Sequence, residues 1–134
     1  MQHFLDQASH NQDFHNSIVG NFSDRFYDWK ITVLFYIAIH ILKALAAKRG
    51  IDIGSTHHEI EKNVNPDRDF AKMKIKRSAW NNYSALYHYS RTARYEGLTD
   101  NATFESIMQI DHSYCLEHLE EFKKYISSQG ITLN

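Results

Sequence analysis

The sequence has little that would interrupt a helix, with one proline and five glycines among its 134 residues. This scarcity of breakers favours long helices, and no alternating strand pattern of comparable strength occurs. A single cysteine, Cys115, cannot form an internal disulfide and is typical of a reducing compartment. There is no glycine-rich phosphate loop, dinucleotide fingerprint or nucleophile elbow, so enzyme classes that depend on those motifs are excluded.

Targeting and membrane signals are also lacking. The start, MQHFLDQASHNQDF, has no basic region followed by an apolar core, so we expect a cytoplasmic protein. The apolar run ITVLFYIAIHILKALAA, residues 31 to 47, is shorter than the roughly 20 residues that a membrane span needs. It also contains His40 and Lys43, which are costly at mid-bilayer. We therefore expect a central helix of one soluble domain, residues 1 to 134, with no membrane partner.

The net charge of −1 hides an uneven distribution. Between Lys43 and Arg94 there are eleven basic and five acidic residues, whereas the rest of the chain has four basic and eleven acidic residues. Such polarity indicates a basic face that can meet phosphates. It is equally compatible with self-association through opposite faces, or with helix surfaces that are simply solvated.

The remaining pattern predicts an all-α, up-and-down bundle of four long helices and one short helix. The predicted helices cover residues 2 to 21, Ser23 or Asp24 to Arg49, a short helix after Thr56, residues 67 to 95, and Thr103 to Ser128. Thr56 and Glu59 have the spacing of a capping box at the start of the short helix. Pro66 disfavours a helical conformation at Asn65 and so separates the short helix from the next one.

The stretch YSALYHYSRTARYEG, residues 83 to 97, contains four tyrosines, one histidine and two arginines. Helical spacing places Arg91, Arg94 and Tyr95 on adjoining parts of one surface, with Tyr87 one turn earlier. Two close guanidinium groups repel each other unless an anion lies between them. That anion is either an internal carboxylate, in which case the tyrosines only pack, or a bound phosphate.

Histidines and lysines supply the other candidate residues. His40 lies within an apolar helix and needs a hydrogen-bond partner, as a satisfied core residue or as an acid, base or ligand. His57 and His58 open the short helix about 100° apart, so they cannot share a metal ion, and no zinc spacing occurs elsewhere. We therefore expect no metal and no cofactor.

The run KMKIKR, residues 72 to 77, contains Lys76 and Arg77. In the predicted helix its basic residues distribute around the axis, which is typical of a solvated face. Interleaved with Trp80, Tyr83 and Tyr87, however, they combine positive charge with rings on which bases can stack. Rings at this spacing are otherwise core residues.

Three segments, DWKITVLFYIAIHILKALAAKRG, STHHEIEKNV and YSALYHYSRTARYEG, together resemble the small bacterial HEPN-like proteins, named for higher eukaryotes and prokaryotes nucleotide-binding domains. The resemblance covers about residues 25 to 97. It implies a helical bundle that often forms a homodimer around a polar cleft. Many members are metal-independent ribonucleases of toxin–antitoxin or phage-defence systems, while others only bind nucleotides or proteins.

The nuclease members carry an arginine followed, after four to six residues, by a histidine, and this spacing does not occur in the chain. The chain departs from the family's pattern here, and what could substitute for the motif is a composite site for RNA or a nucleotide. In it, Arg91, Tyr95, His58 and His40 are the candidate catalytic residues, while an arginine holds the phosphate and a histidine acts as base. The candidate phosphate-binding residues are Arg94, His57, Lys76 and Arg77. The alternative is a non-catalytic module with a structural His/Arg/Tyr network and a protein partner, such as an antitoxin.

Overall fold

The computed structural model describes residues 1–95 and 101–133, and of Tyr95 and Asn101 only the helical backbone. It contains five helices and no β-strand within those residues, which confirms the predicted all-α bundle. The helices are α1 (Gln2–Asn21), α2 (Tyr27–Lys48), α3 (His57–Val64), α4 (Arg77–Tyr95) and α5 (Asn101–Ser128). The predicted bounds of α1 are confirmed, and α5 begins two residues before the predicted Thr103. The predicted connection before α5 lies mostly outside the described residues.

The centre of the bundle is α2, which packs against α1, α4 and α5. Because most of its surface is covered by these neighbours, nearly every residue from Lys30 to Ala46 can be apolar. By length and composition α2 could cross a membrane, but 72% of its most apolar window is buried inside the bundle. It has the burial of a core helix.

Helix α2 begins later than predicted, and neither Ser23 nor Asp24 caps it. The residue before the helix is Phe26, in a left-handed conformation with φ of 61°. The buried Lys30 reaches back to donate to the Phe22 carbonyl at 2.6 Å, and Tyr27 donates its hydroxyl proton to the Ser23 carbonyl at 2.8 Å. The two side chains satisfy carbonyl groups of the loop before α2, and Phe26 at the N-cap position makes no side-chain hydrogen bond to the first turn.

The predicted start of α4 at residue 67 is wrong, because α4 begins at Arg77. The backbone N–H groups of Met73 and Ile75 donate to the carbonyls of Asn63 and Val64, at 2.8 and 3.3 Å. Those carbonyls belong to the last turn of α3 and have no acceptor role within that helix. Residues 71 to 76 thus satisfy the end of α3 and cannot also form the first turns of α4.

Candidate functional site

The N-terminus of α3 orients one of the two paired histidines toward α4. Thr56 caps the helix, since its hydroxyl oxygen accepts from the Glu59 N–H at 3.2 Å and the same hydroxyl donates to the Glu59 carboxylate at 3.1 Å. His57 follows the cap and shares a helix face with Ile60 and Val64, which are both buried. His57 is accordingly half-buried, whereas His58, about 100° around the helix, is exposed.

His57 lies flat on Tyr87 of α4, with ring centroids 3.4 Å apart and planes inclined by 9°. The Nδ1 atom of His57 lies 3.4 Å from the hydroxyl oxygen of Tyr83. Arg91 Nη1 donates to the hydroxyl oxygen of Tyr87, also at 3.4 Å. Tyr83, Tyr87 and Arg91 are four residues apart and so share one face of α4. We call His57, Tyr83, Tyr87, His88 and Arg91 the His57 cluster.

The cluster keeps His57 neutral. Burial lowers the pKa of His57 to about 4, and the neighbouring His88, followed by His58 and Arg91, acts in the same direction against Glu61. Burial also raises the pKa of Tyr83, so its hydroxyl stays protonated. The Tyr83 hydroxyl and Nδ1 of His57 are within hydrogen-bond distance, and the tautomer with its hydrogen on Nε2 is the one that lets the hydroxyl donate to Nδ1.

Arg91 is exposed, and within residues 1–95 and 101–133 it forms no ion pair with a carboxylate. The sequence allowed either an internal carboxylate or a bound phosphate as the anion beside Arg91. In this part of the chain no carboxylate pairs with Arg91. His88 is also exposed, and its ring meets the Tyr87 ring edge-on at a centroid distance of 5.3 Å. The sequence analysis missed His88, although its spacing of three from Arg91 places both on one side of α4.

Arg94 and His40 each contact the Phe35–Tyr36 segment of α2, Arg94 at the two rings and His40 at the Tyr36 backbone carbonyl. The guanidinium carbon of Arg94 lies 5.8 and 5.9 Å from the two ring centroids. His40 donates from Nδ1 to the Tyr36 carbonyl at 2.7 Å, and burial is the main cause that lowers its pKa. This hydrogen bond gives His40 the partner that its position requires.

Phe35 connects these residues to the His57 cluster. Its ring centroid is 5.6 Å from that of Tyr87 and 5.7 Å from that of Tyr83. Phe35 therefore contacts both the cluster and the Arg94 guanidinium. The predicted role of the Tyr95 side chain lies outside the described residues.

Lys76 and Arg77 are not brought to the His57 cluster. Arg77 begins α4, about 15 Å along the helix axis from Tyr87. It forms an ion pair with Asp67, whereas Lys76 is exposed. Their assignment as phosphate-binding residues stays a prediction.

The His57 cluster reaches the surface through its exposed members His88 and Arg91, whereas Tyr83 is buried. A groove of about 590 Å³ lies elsewhere, between α1, α2 and the C-terminal residues 130 to 133, and shares no residue with the cluster. Among the described residues, no group of three or more His, Cys, Asp or Glu side chains could hold a metal ion. The functional groups that the cluster itself offers are imidazole, phenol and guanidinium.

Comparison with known proteins gives one match. A family model described as the HEPN domain matches residues 1–129 of the chain. Searches of curated proteins and of solved structures find no significant match.

Proposed function

Because the chain belongs to the HEPN domain family, which is associated with nucleotide binding and ribonuclease activity, we propose that it binds single-stranded RNA through the His57 cluster. The observation that supports this most is the exposed Arg91 guanidinium, which lies beside a neutral imidazole and forms no ion pair in the described chain. An arginine so placed has several N–H donors available for a phosphate.

We assign the phosphate to a position beside Arg91, Tyr87 and His57, which contact one another through the Tyr87 ring and hydroxyl. There Arg91 would offer its guanidinium, Tyr87 its hydroxyl and His57 a ring N–H. All three donate to an anion without a prior loss of a proton, so the phosphate can bind near neutral pH. The bound phosphate also favours the protonated form of His57, so binding raises the low pKa of that imidazole.

RNA cleavage is the second candidate, and His88 favours it. Attack by a ribose 2′-hydroxyl on the adjacent phosphate needs a base, an acid and a group that stabilises the charged phosphorane. His57 stacks on the face of the Tyr87 ring and His88 meets that ring edge-on, so we assign the two proton transfers to these imidazoles and the stabilisation of the charge to Arg91. The reaction needs no metal ion.

Fluorescence anisotropy with a labelled single-stranded oligoribonucleotide tests the proposal. Arg91→Ala is expected to weaken binding by about tenfold or more, because a charge-assisted hydrogen bond contributes about 1.5 to 3 kcal/mol. The matched control is Arg25→Ala, which removes an exposed arginine that packs on Phe22 and Phe26 instead. Equal affinity of the Arg91 variant and the wild type contradicts the proposal, and a drop in thermal stability would make Arg91 a structural residue.

The cleavage candidate has its own measurement. In a single-turnover assay with chelator present, His88→Gln is expected to abolish cleavage while leaving RNA affinity within about threefold, since one neutral hydrogen bond contributes about 1 kcal/mol. A substrate with a 2′-deoxyribose at the scissile position should bind but remain intact. Binding without cleavage by the wild type leaves the protein as an RNA-binding domain.

The proposal extends to a homodimer in a bacterial defence or toxin–antitoxin setting. The dimer is supported by the exposed aromatic side chains on α2, Trp29 at 58% and Tyr36 at 42%, of which Tyr36 lies near the Arg94 guanidinium. Sedimentation of the wild type and of Trp29→Ser tests the dimer.

A monomeric wild type that binds a protein partner without salt dependence, and does not bind RNA, would favour the alternative of a non-catalytic interaction module.

A further inference from the structure

The segment between α3 and α4 exposes three lysines in succession on one side. Exposure alternates along it: Met73 and Ile75 are 3% and 2% exposed, and the residues on either side of each are exposed. This alternation is that of an extended chain, in which successive side chains point to opposite sides. We call the exposed set Lys72, Lys74 and Lys76 the lysine row.

Backbone hydrogen bonds fix the segment to the end of α3. The N–H groups of Met73 and Ile75 donate to α3 carbonyls, and their side chains belong to the hydrophobic core. The lysine row is therefore held in place at its backbone, although the ammonium groups remain in solvent.

The charge of the lysine row is not neutralised by the described residues. Residues 66 to 77 contain five basic and two acidic residues. The two arginines among them are paired, Arg68 with Glu61 and Arg77 with Asp67, whereas no ion pair in the described chain includes a lysine of the row. Three unpaired ammonium groups on one short segment repel each other, and a polyanion that contacts all three relieves this repulsion.

Phe70 lies at the beginning of the same segment and is 95% exposed. No ring contact or hydrophobic cluster in the described chain includes its side chain. An aromatic ring left in solvent beside a row of cations is the combination by which proteins hold single-stranded nucleic acid, with phosphates on the cations and a base stacked on the ring.

We propose that the lysine row and Phe70 bind the backbone and one base of the same RNA strand that occupies the His57 cluster. In an extended chain, alternate residues lie about 7 Å apart, a spacing comparable to that of successive phosphates along an extended single strand. This inference rests on the proposed function for the identity of the ligand, but its residues are separate from those of the cluster.

The position of α3 connects the two regions. Its first residue, His57, stacks on Tyr87, and its last residue, Val64, accepts the hydrogen bond from Ile75. The helix has 8 residues, so its two ends are roughly 10 Å apart. An RNA strand that runs alongside α3 would therefore extend from the lysine row to Arg91 within a few nucleotides.

The test measures RNA affinity as a function of salt. Lys72→Ser, Lys74→Ser and Lys76→Ser together are expected to lower the slope of log K against log salt by about 2, since each phosphate contact on a single strand contributes about 0.7. Lys124→Ser, which removes an exposed lysine that pairs with Glu121, is the control and should leave the slope unchanged. Phe70→Leu should weaken binding about tenfold with no change in slope.

The outcomes separate this inference from the proposed function. If Arg91→Ala weakens RNA binding but the triple lysine variant keeps the wild-type affinity and slope, RNA binding by the His57 cluster is supported and RNA binding by the lysine row is contradicted. If only the triple lysine variant weakens binding, RNA binding by the row is supported and the proposed role of Arg91 is contradicted. A wild type that binds no single-stranded RNA contradicts both the proposed function and this inference. Polyglutamate bound as tightly as RNA would show that the lysine row is a nonspecific cationic patch, which contradicts its proposed role in RNA binding.

Discussion

The imidazole of His57 is stacked face to face on the phenol ring of Tyr87, with centroids 3.4 Å apart and an angle of 9° between the planes. The stack joins the first residue of α3 to the middle of α4, and Tyr87 in turn contacts Arg91 through its hydroxyl. The orientation of the arginine and that of the imidazole therefore depend on the same ring.

The ring and the hydroxyl of Tyr87 can be separated by substitution. Tyr87→Phe keeps the stack and loses the oxygen that contacts Arg91, so RNA affinity should fall by about threefold with stability unchanged. Tyr87→Leu removes the ring, and its free energy of unfolding should drop by about 1 to 2 kcal/mol, with a larger loss of affinity because His57 is no longer oriented. Urea denaturation and anisotropy measure the two effects, with Tyr114→Leu as an exposed control. Equal affinities for the Phe and Leu variants would show that the stack does not position the site.

The cap of α3 should affect both stability and binding. Thr56→Ala removes the acceptor of the Glu59 N–H and is expected to cost about 1 kcal/mol in the free energy of unfolding. Because the next residue is His57, fraying of this first turn also misplaces the imidazole, so RNA affinity should fall. Thr56→Ser keeps the hydroxyl and should behave like the wild type in both measurements. An alanine variant as stable as the serine variant would show that the cap contributes nothing.

Gly54 precedes this cap with φ of +94°, in a region that side chains rarely adopt. A Cβ added there would also collide with the side chain of Glu59. Gly54→Ala should therefore lower the free energy of unfolding by roughly 1 to 3 kcal/mol. Gly20→Ala is the matched control: Gly20 lies in α1 with nothing within 4 Å of the added Cβ, so it should raise stability by a few tenths to about 1 kcal/mol. The same sign for both substitutions would contradict this account.

Much of the fold could be predicted from sequence because hydrophobic periodicity and capping are local signals. The central α2, the bounds of α1 and the Thr56 cap follow from such signals. The start of α4 does not, since it depends on hydrogen bonds from Met73 and Ile75 to carbonyls that only the folded α3 presents. In KMKIK a lysine alternates with an apolar residue, and this period of two is a sequence signal for an extended segment. The same residues also fit a predicted helix, so the sequence alone does not decide between the two.

The candidate site could be predicted only in part for a related reason. Helical spacing places Tyr87 and Arg91 together, and it also includes His88. Which of His57 and His58 faces α4 depends on the rotation of α3, which the burial of Ile60 and Val64 fixes. His40 bonds to its own helix at Tyr36, a contact that no spacing between separate helices predicts.

A second pair of histidines, remote from the site along the sequence, should govern the stability of the bundle in acid. His15 of α1 and His112 of α5 are buried, and their Nε2 atoms lie 2.9 Å apart, so one neutral ring donates to the other. Burial lowers the pKa of both, that of His112 to about 4, and Lys30 of α2 acts in the same direction on each. Lys123 of α5 also lowers the pKa of His15.

The sign of the effect follows from these directions. In the unfolded chain both imidazoles protonate near pH 6.5, whereas in the native state they resist protonation until lower pH. The stabilisation is therefore complete above about pH 6.5 and is lost as the pH falls toward 4, by roughly 3 kcal/mol for His112. Removing both rings should flatten the stability profile in this window.

Urea denaturation between pH 7 and pH 4 measures this difference. The double variant His15→Leu with His112→Leu should be within about 1 kcal/mol of the wild type at pH 7, because neither polar partner is left unpaired. His112→Leu alone should cost about 1 to 3 kcal/mol at pH 7, since His15 then remains buried without its partner. His40 and His57 titrate equally in all three proteins, so the difference from wild type isolates the pair. Parallel pH profiles for the wild type and the double variant would show that the pair does not couple folding to pH.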